Sequence, residues 1–199
     1  MPQTNHPEQT VFEAITHATF EALMWAFAHP GEAQDVPHGD PCLRVAEALL
    51  DLETSFFTPD ERLRNLVRVM GARERSADRA EFHFYPRLEA SHLEFVRQAQ
   101  RGDALYPHRA ATLVIGCAFD SYPSQRLRLT GPGIETAREL EVGRVPSGFW
   151  QAREDARRYP LGHDVLLVSS ESGPNGLASG GTVLGIPRST HLELLQQAH

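Results

Sequence analysis

Five consecutive residues, Pro187-Arg188-Ser189-Thr190-His191, gather a guanidinium, two hydroxyls and an imidazole directly after the apolar run Thr182 to Ile186. A helix beginning at Ser189 or Thr190 would point its unpaired amides to the same side as Arg188, and amides beside a guanidinium suit a phosphate or carboxylate. The plainer reading is a helix cap with no ligand. Asp164 follows Gly162 at the mouth of another apolar run, Asp164 to Ser169. Its carboxylate either accepts backbone amides of a neighbouring loop or holds Arg188 as an ion pair. Arg188, Ser189, Thr190, His191 and Asp164 are thus the candidate substrate- or anion-binding residues, with Gly131, Gly133, Gly162 and Pro187 shaping the turns around them.

Other chemistries find less support. All 19 basic residues are arginine. Without lysine the chain has no Schiff-base amine for pyridoxal phosphate and no Walker A lysine for nucleotide phosphates. Gly131-Pro132-Gly133, with Asp155 about 20 residues on, has the outline of a dinucleotide fingerprint. Thr136 stands where the third glycine belongs, Pro132 removes an amide, and Glu139 to Val142 reads as extended, so a turn with positive φ at the glycines is expected. His-x-Glu occurs at His92/Glu94 and His191/Glu193 without the Pro-Cys-x-x-Cys of zinc deaminases or the His-Glu-x-x-His of zinc proteases. Ser170-Glu171-Ser172-Gly173 is half of a nucleophile elbow. Cys42 and Cys117 fit no zinc spacing and read as reduced core thiols. Arg153, Arg157 and Arg158, interleaved with Glu154 and Asp155, read as the solvated face of a helix. No catalytic residue, metal or cofactor is assigned.

The elements that must position these residues follow from periodicity and caps. Val11 to Ala28 has helical spacing and stops at His29-Pro30-Gly31; Leu43 to Leu50 forms a second helical run. Thr58-Pro59-Asp60-Glu61 reads as a capping box with Thr58 at N-cap, and Ser91-His92-Leu93-Glu94 as another leading a helix to Gly102. Phe82 to Tyr85, Thr112 to Phe119, Arg126 to Thr130, Asp164 to Ser169 and Thr182 to Ile186 read as strands. Pro146-Ser147 opens a helix through Arg158, and Ser189 to Gln197 is expected as a closing helix. Four glycines between Gly173 and Gly181 read as a hairpin loop. The sequence predicts a flexible tail over 1–10 and one α/β domain over 11–199. A net charge of −7 argues against a general nucleic-acid or anionic-membrane surface. The polar start carries no presequence pattern and the longest apolar run is too short to span a bilayer, so a cytoplasmic chain is expected.

Three strings carry a resemblance: Leu127-Arg128-Leu129-Thr130-Gly131-Pro132-Gly133-Ile134, Tyr159-Pro160-Leu161-Gly162-His163-Asp164-Val165-Leu166-Leu167, and Gly185-Ile186-Pro187-Arg188-Ser189-Thr190-His191-Leu192-Glu193. Their order and spacing resemble the PhnH family, the H subunit of the bacterial carbon–phosphorus lyase system. Ala28-His29-Pro30-Gly31 and Ala110-Ala111-Thr112-Leu113 resemble the family's opening segment and central strand. The resemblance covers about residues 11 to 193. Glu21 stands where the family usually has arginine, and His163 where it has a branched aliphatic residue.

The resemblance implies a three-layer αβα fold with a mixed sheet, like the large domain of pyridoxal-phosphate-dependent transferases but without the cofactor. It implies a homodimer that joins the G, I and J subunits in a core complex. That assembly, with the L subunit, attaches a phosphonate to the ribose of ATP with loss of adenine, giving ribose 1-methylphosphonate 5-triphosphate when the phosphonate is methylphosphonate. The H subunit is then accessory and non-catalytic. The alternative is a direct ATP or phosphonate contact through the Arg188 to His191 turn.

Overall fold

A computed structural model describes residues 10–119, 123–172 and 178–195. The first helix, α1 (Val11–Ala28), begins where Thr10 and Glu13 close a reciprocal capping box: Glu13 N donates to Thr10 Oγ1 at 3.2 Å and Thr10 N to Glu13 Oε2 at 2.7 Å. β1 (Gln34–Val36) and α2 (Pro41–Leu49) follow, with Asp40 capping α2 by accepting from Cys42 N and Leu43 N. β2 (Ser55–Phe57), α3 (Glu61–Val69), β3 (Arg73–Glu74) and β4 (Phe82–Tyr85) come next. The cap of α3 is Asp60, which accepts from Leu63 N at 2.7 Å, and not Thr58. An ionised carboxylate two residues nearer the helix takes the orphan amide, and Thr58 instead accepts from Asp60 N at 3.2 Å.

The second expected capping box is also displaced. α4 (Leu93–Gln98) has no side-chain cap, and the His92 ring instead accepts from Glu89 N at 3.2 Å in the preceding 3-10 turn. The remaining elements are β5 (Thr112–Gly116), β6 (Ala118–Phe119), β7 (Ser124–Thr130), β8 (Arg138–Gly143), α5 (Ser147–Ala156), β9 (Asp164–Ser172), β10 (Ala178–Ile186) and β11 (His191–Leu195).

Seven strands form a mixed sheet in the order β1-β10-β9-β5-β4-β2-β3. β9, β5, β4, β2 and β3 run parallel, while β10 is antiparallel to β9 and to β1. A central parallel strand is covered on both faces, so β5 and β9 read as continuous apolar runs. On one face α1, α2 and α3 pack Leu23, Val45 and Val67 against Phe84, Val114 and Leu166. On the other, α4 and α5 bring Val96, Phe149 and Trp150 against Leu113, Ile115 and Leu167.

That second face also carries a feature the sequence did not announce, a four-stranded antiparallel sheet in the order β11-β7-β8-β6. Its inward residues, Leu127, Leu129, Val142 and Leu192, join the same core. β9 and β10 run longer than expected, so Gly180 and Gly181 lie within β10; the centre of the expected hairpin loop, 173–177, falls outside the described residues. Most of the expected tail, 1–9, does too.

Candidate functional site

The turn from Pro187 to Thr190 joins the two sheets, running from the end of β10 to the start of β11. No helix begins there. Thr190 N donates to Pro187 O at 2.9 Å, and the chain passes straight into a strand that pairs Leu192 with Leu129 and Glu193 with Arg128. The alternation His191-Leu192-Glu193 is the reason: Leu192 is buried at 4% exposure while its neighbours face solvent, a period of two that no helix can satisfy. The helix expected over Ser189 to Gln197 is therefore corrected to a strand, with 196–199 outside the described residues. The helix-terminus amides on which the anion cradle rested are absent from this turn.

Asp164 and Arg188, 24 residues apart, do meet. Arg188 N donates to Asp164 Oδ1 at 2.7 Å, and its Nε lies 3.2 and 3.1 Å from the two carboxylate oxygens. Its Nη2 bonds Asp164 Oδ2 and its Nη1 the Pro107 carbonyl. Both alternatives posed for Asp164 hold at once, since one carboxylate binds a loop amide and forks a guanidinium. The pair is four-fifths buried, so it fixes the turn to the first residue of β9.

Arg153 corrects the reading of the α5 arginines. It is 1% exposed, with Nη1 donating to Thr190 O at 2.8 Å and Nη2 to Pro187 O at 2.7 Å, so one buried guanidinium clamps both ends of the turn. Burial pulls its pKa down, and the adjacent Glu154 carboxylate, also its ion-pair partner, opposes that pull. Glu154 continues outward to Arg157 Nε at 2.9 Å and His191 Nδ1 at 3.1 Å. His191 Nδ1 also lies 2.8 Å from Arg157 Nη2. It donates to Glu154 when it carries a proton and accepts from Arg157 when it does not, never both. The interleaved charges of α5 look solvated because nothing in a local window reveals a turn 34 residues away.

The candidate residues therefore do not surround one cavity. Arg188 turns toward Asp164, His191 toward Glu154, and Thr190 is fully buried with its hydroxyl unpaired. Ser189, Asp164, Pro187 and Gly133 line a shallow hollow of about 400 Å³. Gly133, at φ 82°, is needed there: a Cβ would sit 2.8 Å from Ala28 O. Gly131 (φ 137°) and Gly162 (φ 138°) take the positive φ expected of turn glycines, and Gly162 N donates to Arg101 O at 3.1 Å.

His163, the second departure from the family pattern, is 1% exposed with Nε2 3.2 Å from Ala99 O. His83 on β4 is fully buried, its Nδ1 3.1 Å from Tyr85 Oη. Burial holds both imidazoles neutral, with pKa values lowered to about 4, and for His83 nearby His163 adds to the effect. Glu21, the first departure, is exposed on α1 and lies 3.7 Å from His17.

Cys42 and Cys117 are buried and free, and both line a larger crevice of about 830 Å³. Burial raises both thiols, that of Cys117 to about 12, so they are protonated at neutral pH. Among the described residues no group of three or more His, Cys, Asp or Glu side chains is placed to hold a metal, and no helix is long and apolar enough to cross a membrane.

Comparison with known proteins bears on this geometry. The family model described as bacterial phosphonate metabolism protein (PhnH) matches residues 11–193. A putative C-P lyase subunit protein, HtxG of Stutzerimonas stutzeri, is 32% identical over 181 residues, covering 88% of this chain and 84% of that protein.

Proposed function

This chain belongs to the PhnH family, and from that membership we propose that it is an accessory, non-catalytic subunit of the assembly that transfers a phosphonate onto the ribose of ATP with loss of adenine. The coarser statement stands on the comparisons: the chain is a subunit of the carbon–phosphorus lyase system for phosphonate use. The observation that carries the accessory role is the closed turn. Of its most reactive-looking groups, Asp164 and Arg188 bond to each other, Arg188 also to the carbonyl of Pro107, and Arg153 to the carbonyls of Pro187 and Thr190, so they hold two sheets together.

In this proposal the partners are the G, I and J subunits, the chain pairs with a second copy, and the scaffold is that of a pyridoxal-phosphate transferase large domain without its lysine. Exposed apolar side chains on α1, among them Phe12, Phe20, Met24 and Trp25, support an assembly surface, because a helix apolar on most sides is normally covered. Co-expression with the G, I and J subunits is expected to give one complex on gel filtration. Elution of this chain apart from an otherwise assembled complex contradicts the proposal.

A second reading makes the Arg188 to His191 turn a direct ATP or phosphonate contact, favoured by the position of Ser189, with the adjoining Pro187, at the 400 Å³ hollow. Isothermal titration with ATP and with methylphosphonate, beside an Arg188→Ala variant, decides it. Heat lost in the variant supports this reading, and absence of heat in the unsubstituted chain ends it.

A further inference from the structure

α1 buries Thr19, Ala22, Leu23 and Ala26 on the side that packs on the large sheet and α2. On its opposite side Ala14, His17, Glu21, Met24 and Ala28 are all exposed. Their spacing of three and four residues lines them up as one seam along the helix. Phe20 and Trp25 flank the seam at 47% and 57% exposure, and Val11 extends it toward the N-terminus. A helix that is apolar on its solvent side as well is normally a covered one. Phe20 and Trp25 each expose about half of an aromatic side chain of about 150–250 Å². With Val11, Met24 and the exposed alanines the apolar patch reaches on the order of 500 Å², at the upper end of what a monomer shows. A stable interface takes about 800 Å² from each partner, so this face supplies most of one.

The seam is complementary to itself. Its charged groups, His17 and Glu21, lie one helical turn apart with 3.7 Å between Nδ1 and Oε2. A second α1 running antiparallel about a two-fold axis level with Thr19 brings His17 against the partner subunit's Glu21. The same register sets Ala14 against the partner subunit's Met24, a small residue receiving a large one, as facing seam positions do in an antiparallel helix pair. An axis level with Glu21 would instead set that carboxylate against the partner subunit's Glu21, so like charges disfavour the alternative register. α1 carries no arginine and the whole chain a net charge of −7, which argues against an anionic lipid surface as the occupant of this face.

We propose that α1 packs antiparallel against α1 of a second copy of this chain, in the register that pairs His17 with the partner subunit's Glu21. This rests on the reading that the chain pairs with a second copy, and adds to it the surface and the register. The isolated full chain is the sample, so failure here and failure to join the G, I and J subunits are separate results. Sedimentation over a dilution series is expected to show a reversible equilibrium between 22.2 kDa and twice that mass. Met24→Glu should weaken pairing at least tenfold, because a carboxylate enters an apolar layer. Glu21→Arg should weaken it about fivefold by setting a guanidinium against an imidazole, and adding His17→Glu should restore it. Val69→Glu, at a position 89% exposed on α3, should leave pairing unchanged. These positions are exposed in the single chain, so each variant should keep the native circular dichroism spectrum. Ala14→Cys combined with Met24→Cys should give a covalent dimer on mild oxidation, since the two positions lie about 15 Å apart along one helix and cannot link within a chain. A monomer at every concentration would overturn the proposal and assign the apolar face to another subunit. An unchanged affinity in Met24→Glu, no rescue of Glu21→Arg by His17→Glu, or no covalent dimer from the cysteine pair would overturn it as well.

Discussion

Arg153 shows how far a single side chain can be from what its neighbours in sequence suggest. Removing it leaves the carbonyls of Thr190 and Pro187 without their donors and Glu154 without its buried partner. Arg153→Ala is expected to cost about 3 kcal/mol or more, as breaking a buried pair generally does, read as a lower urea midpoint. Arg153→Lys should recover little, because an ammonium cannot fork between two carbonyls. The buried imidazoles His83 and His163 make a second prediction at this scale. Folded, each titrates at about 4; unfolded, at about 6.5. Between those values the unfolded chain binds protons that the fold excludes, so stability falls as pH drops from about 6.5 to about 4, by up to about 3 kcal/mol per imidazole. Below that window these groups contribute no further loss. Urea titrations across this range should show the slope, and His163→Gln should reduce it. The Asp164 and Arg188 pairing was one of two readings open in the sequence. Arg153 was not legible, because a window around α5 contains only charges at helical spacing.

Among the elements, caps and strand periods separate what local sequence reveals from what it does not. The existence of α1, α2, α3, β4, β5, β7, β9 and β10 was legible, since each has its own periodicity or apolar run. The exact caps were less so, because Thr58 and Asp60 compete for the same few amides of α3 and only geometry chooses. Asp60→Ala should cost about 1 kcal/mol, while Thr58→Ala should cost less, measured by thermal unfolding. β11 was misread because five residues offer too short a window to distinguish periods. Its register makes a direct check: Leu192→Asp places a charge against Leu129 inside the core and is expected to unfold or strongly destabilise the chain, whereas Glu193→Ala should change stability by under about 0.5 kcal/mol. The opposite ranking would contradict the strand.

At the scale of the whole molecule, one mixed sheet is braced on one face by three helices and on the other by two helices and a second sheet. The clamp of Asp164, Arg188 and Arg153 sits where those two sheets join. The α/β class was legible from the succession of helical and extended runs, but the second sheet was not, since β6 and β11 are short and gain definition only from β8 and β7. A stable scaffold with an apolar first helix fits a part of a larger assembly. The most direct test is co-expression with the G, I and J subunits followed by gel filtration with mass measurement. The account predicts that this chain elutes within the complex and that the complex loses its mass when the chain is omitted. Assembly of the other subunits with this chain eluting apart, at the mass of one or two copies of 22.2 kDa, would contradict it.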